Sequence, residues 1–155
     1  MLYRTYQPAD FTQLYAVEES CFQPPFRFSR SYMRKITQSD RCATWIAEED
    51  AKLIGFAVVC WARASDAPGA YIQTVEVAGE HRGHGVGSEL LRRVEDSAYA
   101  AGASGIRLHV DVENLSAIRL YERHGYERQG REENYYARNR AAFVYSKPLK
   151  RQSIS

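Results

Sequence analysis

Three glycines at alternate positions, Gly83, Gly85 and Gly87, stand between the β-branched and aromatic run AYIQTVEV (70–77) and a stretch in which Val86, Leu90, Leu91, Val94 and Ala98 recur at helical spacing. The chain must therefore pass from a strand into an amphipathic helix within a few residues, and glycine crosses such a turn at least steric cost. A strand, a glycine turn and a helix N-terminus bring several backbone N–H groups to one place, where the positive end of the helix dipole favours an anion such as phosphate. Two phosphate loops do not fit. An NTPase loop needs Lys followed by Ser or Thr after its last glycine, where this chain has Ser88 and Glu89. The dinucleotide fingerprint needs G-x-G-x-x-G, where this chain has G-x-G-x-G. What remains is Arg82-x-x-Gly85-x-Gly87.

The flanking segments set the fold class. LYRTY reads as a strand, and residues 10 to 21 as a helix that Asp10 is expected to open by accepting from first-turn N–H groups. FQPPFRF interrupts it, and Ser29 caps a second helix to Gln38. ATWIAEE and KLIGFAVVCWA form two strands around a charged turn at 48–52. The helix after the glycines closes near Gly102. IRLHVDVE alternates, with Ile106, Leu108, Val110 and Val112 on one face and Arg107, His109, Asp111 and Glu113 on the other. Asn114 caps a helix through His124, stopped by Gly125, and two strands follow near 126–133 and 141–147. Strands and helices in this order predict an α/β fold with a partly antiparallel sheet.

With 155 residues, 45% of them hydrophobic, the chain suits one domain (1–150) with a short basic tail (151–155). No run of about 18 apolar residues and no basic-then-apolar leader occurs, so neither a membrane span nor a signal peptide is expected, and the location is cytoplasmic. Cys21, Cys42 and Cys60 are odd in number and lack metal-ligand spacing, which predicts buried thiols, no disulfide and no metal site. A net charge of only +2, with acids and bases interspersed, argues against a nucleic-acid partner while leaving room for a local anion site. The charge-dense YERHGYERQGREEN reads as a solvated helix end and strand.

Arg82-x-x-Gly85-x-Gly87 resembles the pyrophosphate loop of the GCN5-related N-acetyltransferases (GNAT). About 20 residues later LHVDVENLSAIRLYERHGY resembles the next block of that family: strand, Asn, helix, A-x-x-L-Y, then G-Y. The resemblance runs from Tyr71 to Tyr136 and implies a GNAT fold, a mostly antiparallel sheet of about seven strands flanked by about four helices. It also implies acetyl-CoA as coenzyme. The backbone at Val75 and Val77, the loop Arg82, Gly83, His84, Gly85, Val86 and Gly87, and Asn114, Ser116 and Tyr121 would hold it, with a backbone N–H near Val77 polarising the thioester carbonyl.

Within the family YIQTVEV, LHVDVENLSAIRLY and ENYY are similar to enzymes that acetylate protein α-amines, among them the bacterial ribosomal-protein alanine acetyltransferases and the eukaryotic and archaeal enzymes that accept Met-initiated chains. By that likeness Tyr71 and His109 hold a catalytic water, and the Tyr121 hydroxyl faces the coenzyme sulfur. Tyr135 and Tyr136 close over the substrate N-terminus, and Phe22, Pro24 and Pro25 of FQPPF line the first-residue pocket. One departure stands out: the bacterial ribosomal enzymes carry glutamate where this chain has His109.

The residue types suit the chemistry. An α-ammonium of pKa about 7.7 to 8.0 must lose a proton before attacking a thioester, and an imidazole near 6.5 is matched to receive it through water. A phenol can protonate a departing thiolate. With regular strand pairing Glu76 stands on the face opposite Tyr71, Val75 and Val77, a secondary candidate for holding the substrate ammonium; a bulge would change that. The expected activity is acetyl transfer to a protein or peptide N-terminus by direct attack. The alternatives are a small-amine (polyamine or aminoglycoside) acetyltransferase of the same fold and a non-catalytic acyl-CoA sensor.

Overall fold

A computed structural model describes residues 1–62 and 69–150, so the basic tail 151–155 lies outside the described residues. Seven strands form one sheet: β1 (Leu2–Thr5), β2 (Cys42–Glu49), β3 (Lys52–Trp61), β4 (Gly69–Val77), β5 (Gly105–Asp111), β6 (Glu127–Ala137) and β7 (Arg140–Pro148), in the order β1-β2-β3-β4-β5-β7-β6. Four helices cover it: α1 (Phe11–Cys21), α2 (Arg30–Gln38), α3 (Val86–Ala100) and α4 (Leu115–Arg123). Every strand pair is antiparallel except β4 with β5. Among the described residues no helix is long and apolar enough to cross a membrane.

Periodicity puts an apolar stripe on each helix and seats the pairs of helices on opposite faces. Leu90, Leu91, Val94 and Ala98 of α3 and Ile118 of α4 pack on Ile54, Ala57, Val59, Ile72, Ile106 and Leu108. Phe11, Leu14 and Val17 of α1 and Met33 and Ile36 of α2 pack on Ile46, Leu53, Phe56 and Val58. Strand β3 lies between both layers and is buried from Leu53 to Val59, as a strand covered on two faces must be. Gly55 lets it approach β4, because a Cβ there would sit 2.8 Å from the Glu76 carbonyl oxygen.

Local signals act largely as the residues dictate. The Ser29 hydroxyl accepts from the Tyr32 N–H at 3.1 Å, and Asn114 Oδ1 accepts from the Ala117 N–H at 3.3 Å. Asp50 and Ala51, both at positive φ, make the tight turn between β2 and β3. Asp10 behaves differently from the expectation. It makes no side-chain cap on α1. Its carboxylate instead accepts two 2.8 Å hydrogen bonds from Arg4 and one from the Gln7 N–H, because a guanidinium fork engages both oxygens and outcompetes a single amide. The final hairpin is longer than the sequence predicts, carrying Tyr135 and Tyr136 within β6.

The cysteine expectation needs correction. Cys42 and Cys60 form a disulfide, and Cys21 is the free thiol. The register of β2 against β3 places the two directly opposite, with Cα atoms 4.0 Å apart; a sequence separation of 18 says nothing of that pairing.

Two irregularities position the site. Val58 faces Thr74 and Val59 faces Ile72, so Gln73 has no partner and β4 bulges there. A bulge sends consecutive side chains to the same face. Further on, β4 and β5 pair only over Gly69–Tyr71 and Gly105–Arg107, although β4 runs on to Val77 and β5 to Asp111. The sheet is open between them beyond that point.

Candidate active site

Tyr71 and His109 come from β4 and β5, the two strands on either side of the open seam. Alternation along β5 sends Ile106, Leu108 and Val110 into the α3/α4 layer, so His109 faces the α1/α2 side. Tyr71, paired with Cys60 on β3, faces the same way. The Tyr71 hydroxyl lies 2.7 Å from His109 Nδ1 and 3.4 Å from the Tyr135 hydroxyl. Burial, then the neighbouring Tyr135, raises the Tyr71 phenol far above its ordinary value. The phenol donates to Nδ1 in the tautomer that carries the imidazole hydrogen on Nε2. That nitrogen is buried and 3.2 Å from Glu132 Oε1, without the alignment of a hydrogen bond.

Aromatic rings wall this centre. Tyr135 stacks on His109 with centroids 4.2 Å apart and planes 5° off parallel. Tyr136 stands edge-on to Tyr135 at 4.9 Å and meets Phe26 at 4.9 Å. The loop from Phe22 to Phe28 thus reaches the tyrosine pair through Phe26, while Pro24 and Pro25 stand exposed. Arg140, lying over Phe26 and paired with Asp111 at 2.9 Å, braces the end of β5.

The bulge corrects the placement of Glu76. It keeps Val75 and Val77 against the α3/α4 layer but turns Gln73, Thr74 and Glu76 to the Tyr71 face, where Tyr32 donates to Gln73 Oε1 at 2.8 Å and Thr74 donates to Glu76 Oε2 at 2.8 Å. Tyr121 of α4 is buried, edge-on to Tyr126 at 5.7 Å. Burial raises its phenol, which stays a proton donor at neutral pH.

At the other end of β4, Gly83 and Gly85 sit at φ +81° and +82°, with Gly85 capping α3. Gly85 so placed starts α3, whose first-turn N–H groups have no partner within the helix. Gly87 leaves ordinary contact distance to Leu120 and Val77. His84 is exposed on the loop. Arg82 folds back, its Nε donating to the Val77 carbonyl at 3.0 Å and its Nη2 lying 3.5 Å from Cys21 Sγ. Asn114 Oδ1 serves the α4 cap and accepts from the Ser116 hydroxyl at 3.2 Å.

Residues 11–126 match the Acetyltransferase (GNAT) family. The chain belongs to this family. A Bacillus subtilis protein provisionally named as a ribosomal protein bS18-alanine N-acetyltransferase is 27% identical over 130 residues, 84% of this chain and 83% of that protein. N-alpha-acetyltransferase 30 of Schizosaccharomyces pombe is 32% identical over 105 residues, 66% of this chain and 69% of that protein. The crystal structure of the ribosomal-protein-S18-alanine N-acetyltransferase from Escherichia coli has the same fold, with a TM-score of 0.83 at 21% identity over 98% of this chain and 96% of that one.

This GNAT protein is an acetyl-CoA-dependent N-acetyltransferase, and family structures containing acetyl-CoA or coenzyme A share its fold at TM-scores of 0.81. The residues present suit such a coenzyme: an unpaired strand edge for an amide-bearing arm, a left-handed glycine turn, and a helix N-terminus for the pyrophosphate. Sequence reasoning missed Glu132, which it assigned to a solvated strand, along with Glu18, Gln73 and Phe26's contact with Tyr136. Each owes its place to pairing across distant segments; the quoted Phe-Pro loop was the one signal, for Phe26.

Proposed function

We propose that this GNAT enzyme acetylates the α-amino group of protein or peptide N-termini. The observation that carries the reading is the Tyr71–His109 pair at 2.7 Å, set beneath the aromatic wall of Tyr135, Tyr136 and Phe26. That wall is suited to the first side chain of an entering chain, and relatives named for acetylating bS18 alanine and for N-alpha acetylation support the assignment.

The coenzyme supplies an acyl thioester; the protein supplies proton management and orientation. The amine must shed its proton before attack. Tyr71, donating to His109 Nδ1, leaves lone pairs on its oxygen for a water or the amine, and a proton arriving there passes to Nδ1 as the phenolic hydrogen moves over. Glu132 Oε1 stands 3.2 Å from Nε2 on the far side of the ring. Tyr121, neutral through burial, gives a proton to the departing thiolate. Val75 and Val77, at the open edge of β4, present backbone groups to the coenzyme arm, and Gly83, Gly85 and the start of α3 bind its pyrophosphate.

The test is coenzyme thiol release and product mass over peptides beginning Met-Leu, Ala, Ser and Thr, beside N-terminally blocked peptides with internal lysine and common polyamines. Acetylation confined to free α-amines is expected. Turnover with polyamines or aminoglycosides but no peptide overturns the acceptor assignment in favour of the small-amine reading.

A further inference from the structure

Two carboxylic side chains are buried together beneath the Phe22–Phe28 loop. Glu18 of α1 is 0% exposed and Glu76 of β4 is 2% exposed. One oxygen of each is satisfied: Glu18 Oε2 accepts from the Phe28 N–H at 2.9 Å, and Glu76 Oε2 from Thr74. The remaining oxygens, both Oε1, have no partner, and the two carboxyls lie against one another.

Two bare carboxylates in contact inside a protein repel and leave acceptors without donors. One proton between them removes both faults, since one acid then donates and the other accepts. The groups acting on Glu76 are Glu18 and Cys21 from α1, Thr74 on its own strand and, from α4, Tyr121; none is a cation. Arg82 reaches only as far as Cys21 Sγ and the Val77 carbonyl. Burial first, then Glu18, pushes the Glu76 carboxyl well above the usual carboxylate range, so the proton belongs to the pair.

Glu18 also closes both ends of the loop. Its backbone oxygen accepts from the Phe22 N–H at 3.0 Å, while its side chain accepts from the Phe28 N–H. Between those anchors lie Pro24, Pro25 and Phe26, the last in contact with Tyr136.

We propose that Glu18 and Glu76 share a single proton, and that this bridged pair is the positioning device that holds the Phe22–Phe28 loop against the acceptor pocket, a role that rests on the α-amine reading above. Loss of the proton sets two buried carboxylates against each other, loosening α1 from β4 and drawing Phe26 away from Tyr136. Because Glu76 holds its proton more tightly folded than unfolded, its contribution to stability is complete below the ordinary carboxylate range of about 4.3 and is lost as pH rises through the raised value.

The experiment compares wild type with E76Q, E18A and E18Q in melting temperature from about pH 5 to about pH 9, in acceptor KM and kcat, and in acetyl-CoA Kd. The E76Q amide donates to Glu18 at every pH, so its melting temperature should gain on wild type as pH rises, reaching about 3 °C or more. E18A should raise acceptor KM about tenfold, with kcat within about twofold and coenzyme Kd unchanged. E18Q, whose amide oxygen accepts from the Phe28 N–H, should restore KM to within about threefold of wild type. Parallel melting profiles for wild type and E76Q overturn the shared proton. An unchanged acceptor KM in E18A, or a joint fall of kcat and coenzyme affinity, overturns the positioning role. The melting arm needs no acceptor, so it decides the shared proton even if E18A does not fold and even if peptides prove not to be substrates.

Discussion

On the α3/α4 face, β5 presents Ile106, Leu108 and Val110 to Leu90, Leu91 and Val94. The same strand presents Arg107, His109 and Asp111 to the other side. The buried carboxylate of α3, Glu95, receives the Tyr126 hydroxyl at 2.7 Å and Lys147 Nζ at 2.8 Å on its Oε2. Across the sheet the situation reverses. Among the described residues the buried side-chain atoms without hydrogen-bond partners are Glu18 Oε1, Thr44 Oγ1, Glu76 Oε1 and His109 Nε2, and all four belong to the α1/α2 face. Unpartnered polarity costs stability wherever it is buried; here it is confined to one face of the sheet.

Substitution tests that contrast directly. His109→Ala should lower kcat by about 10²- to 10⁴-fold and, by removing the 2.7 Å bond to Tyr71 and the stack on Tyr135, should also lower the urea unfolding midpoint modestly; near-normal turnover would make His109 a structural residue. Leu90→Ala, at a fully buried position, should cost about 2 to 5 kcal/mol of unfolding free energy with kcat per folded molecule unchanged. A large loss of kcat there would mean that the two faces are not separable. The smallest effect is expected at the glycine loop that starts α3. Gly85→Ala forces an L-residue into the left-handed region at about 1 to 2 kcal/mol, and calorimetric titration should show weaker acetyl-CoA binding at unaltered kcat; unchanged affinity would remove the loop from the coenzyme site.

The same contrast explains what could be read in the chain beforehand. The α3/α4 face is periodic, so Leu90, Leu91, Val94 and the alternation of β5 were legible, as were Ser29 and Asn114, whose caps involve residues three positions away. The glycine loop was legible because its backbone requirement is local. The α1/α2 face depends on contacts between distant segments. Asp10 is claimed by Arg4, which also binds Glu48. Cys42 finds Cys60 through strand register. One unpaired residue, Gln73, sends Glu76 to the same side as Tyr71, and Glu132 reaches His109 from a strand whose composition suggested only solvent. Tyr71, His109 and Tyr135 meet in the structure, but the carboxylates near them carry no local signature.

The early end of the β4–β5 ladder has a consequence for the protein without its coenzyme. A sheet normally leaves unpaired amides and carbonyls at its two outer edges, where charge or short length guards them. Here two further strand margins lie open in the interior, from Ile72 toward Val77 on one side and from Leu108 toward Asp111 on the other. An occupant that pairs along this gap acts as a missing strand. On the proposed placement of the coenzyme arm along β4, acetyl-CoA would be part of the fold's closure as well as its chemistry: occupancy should then raise stability by mass action.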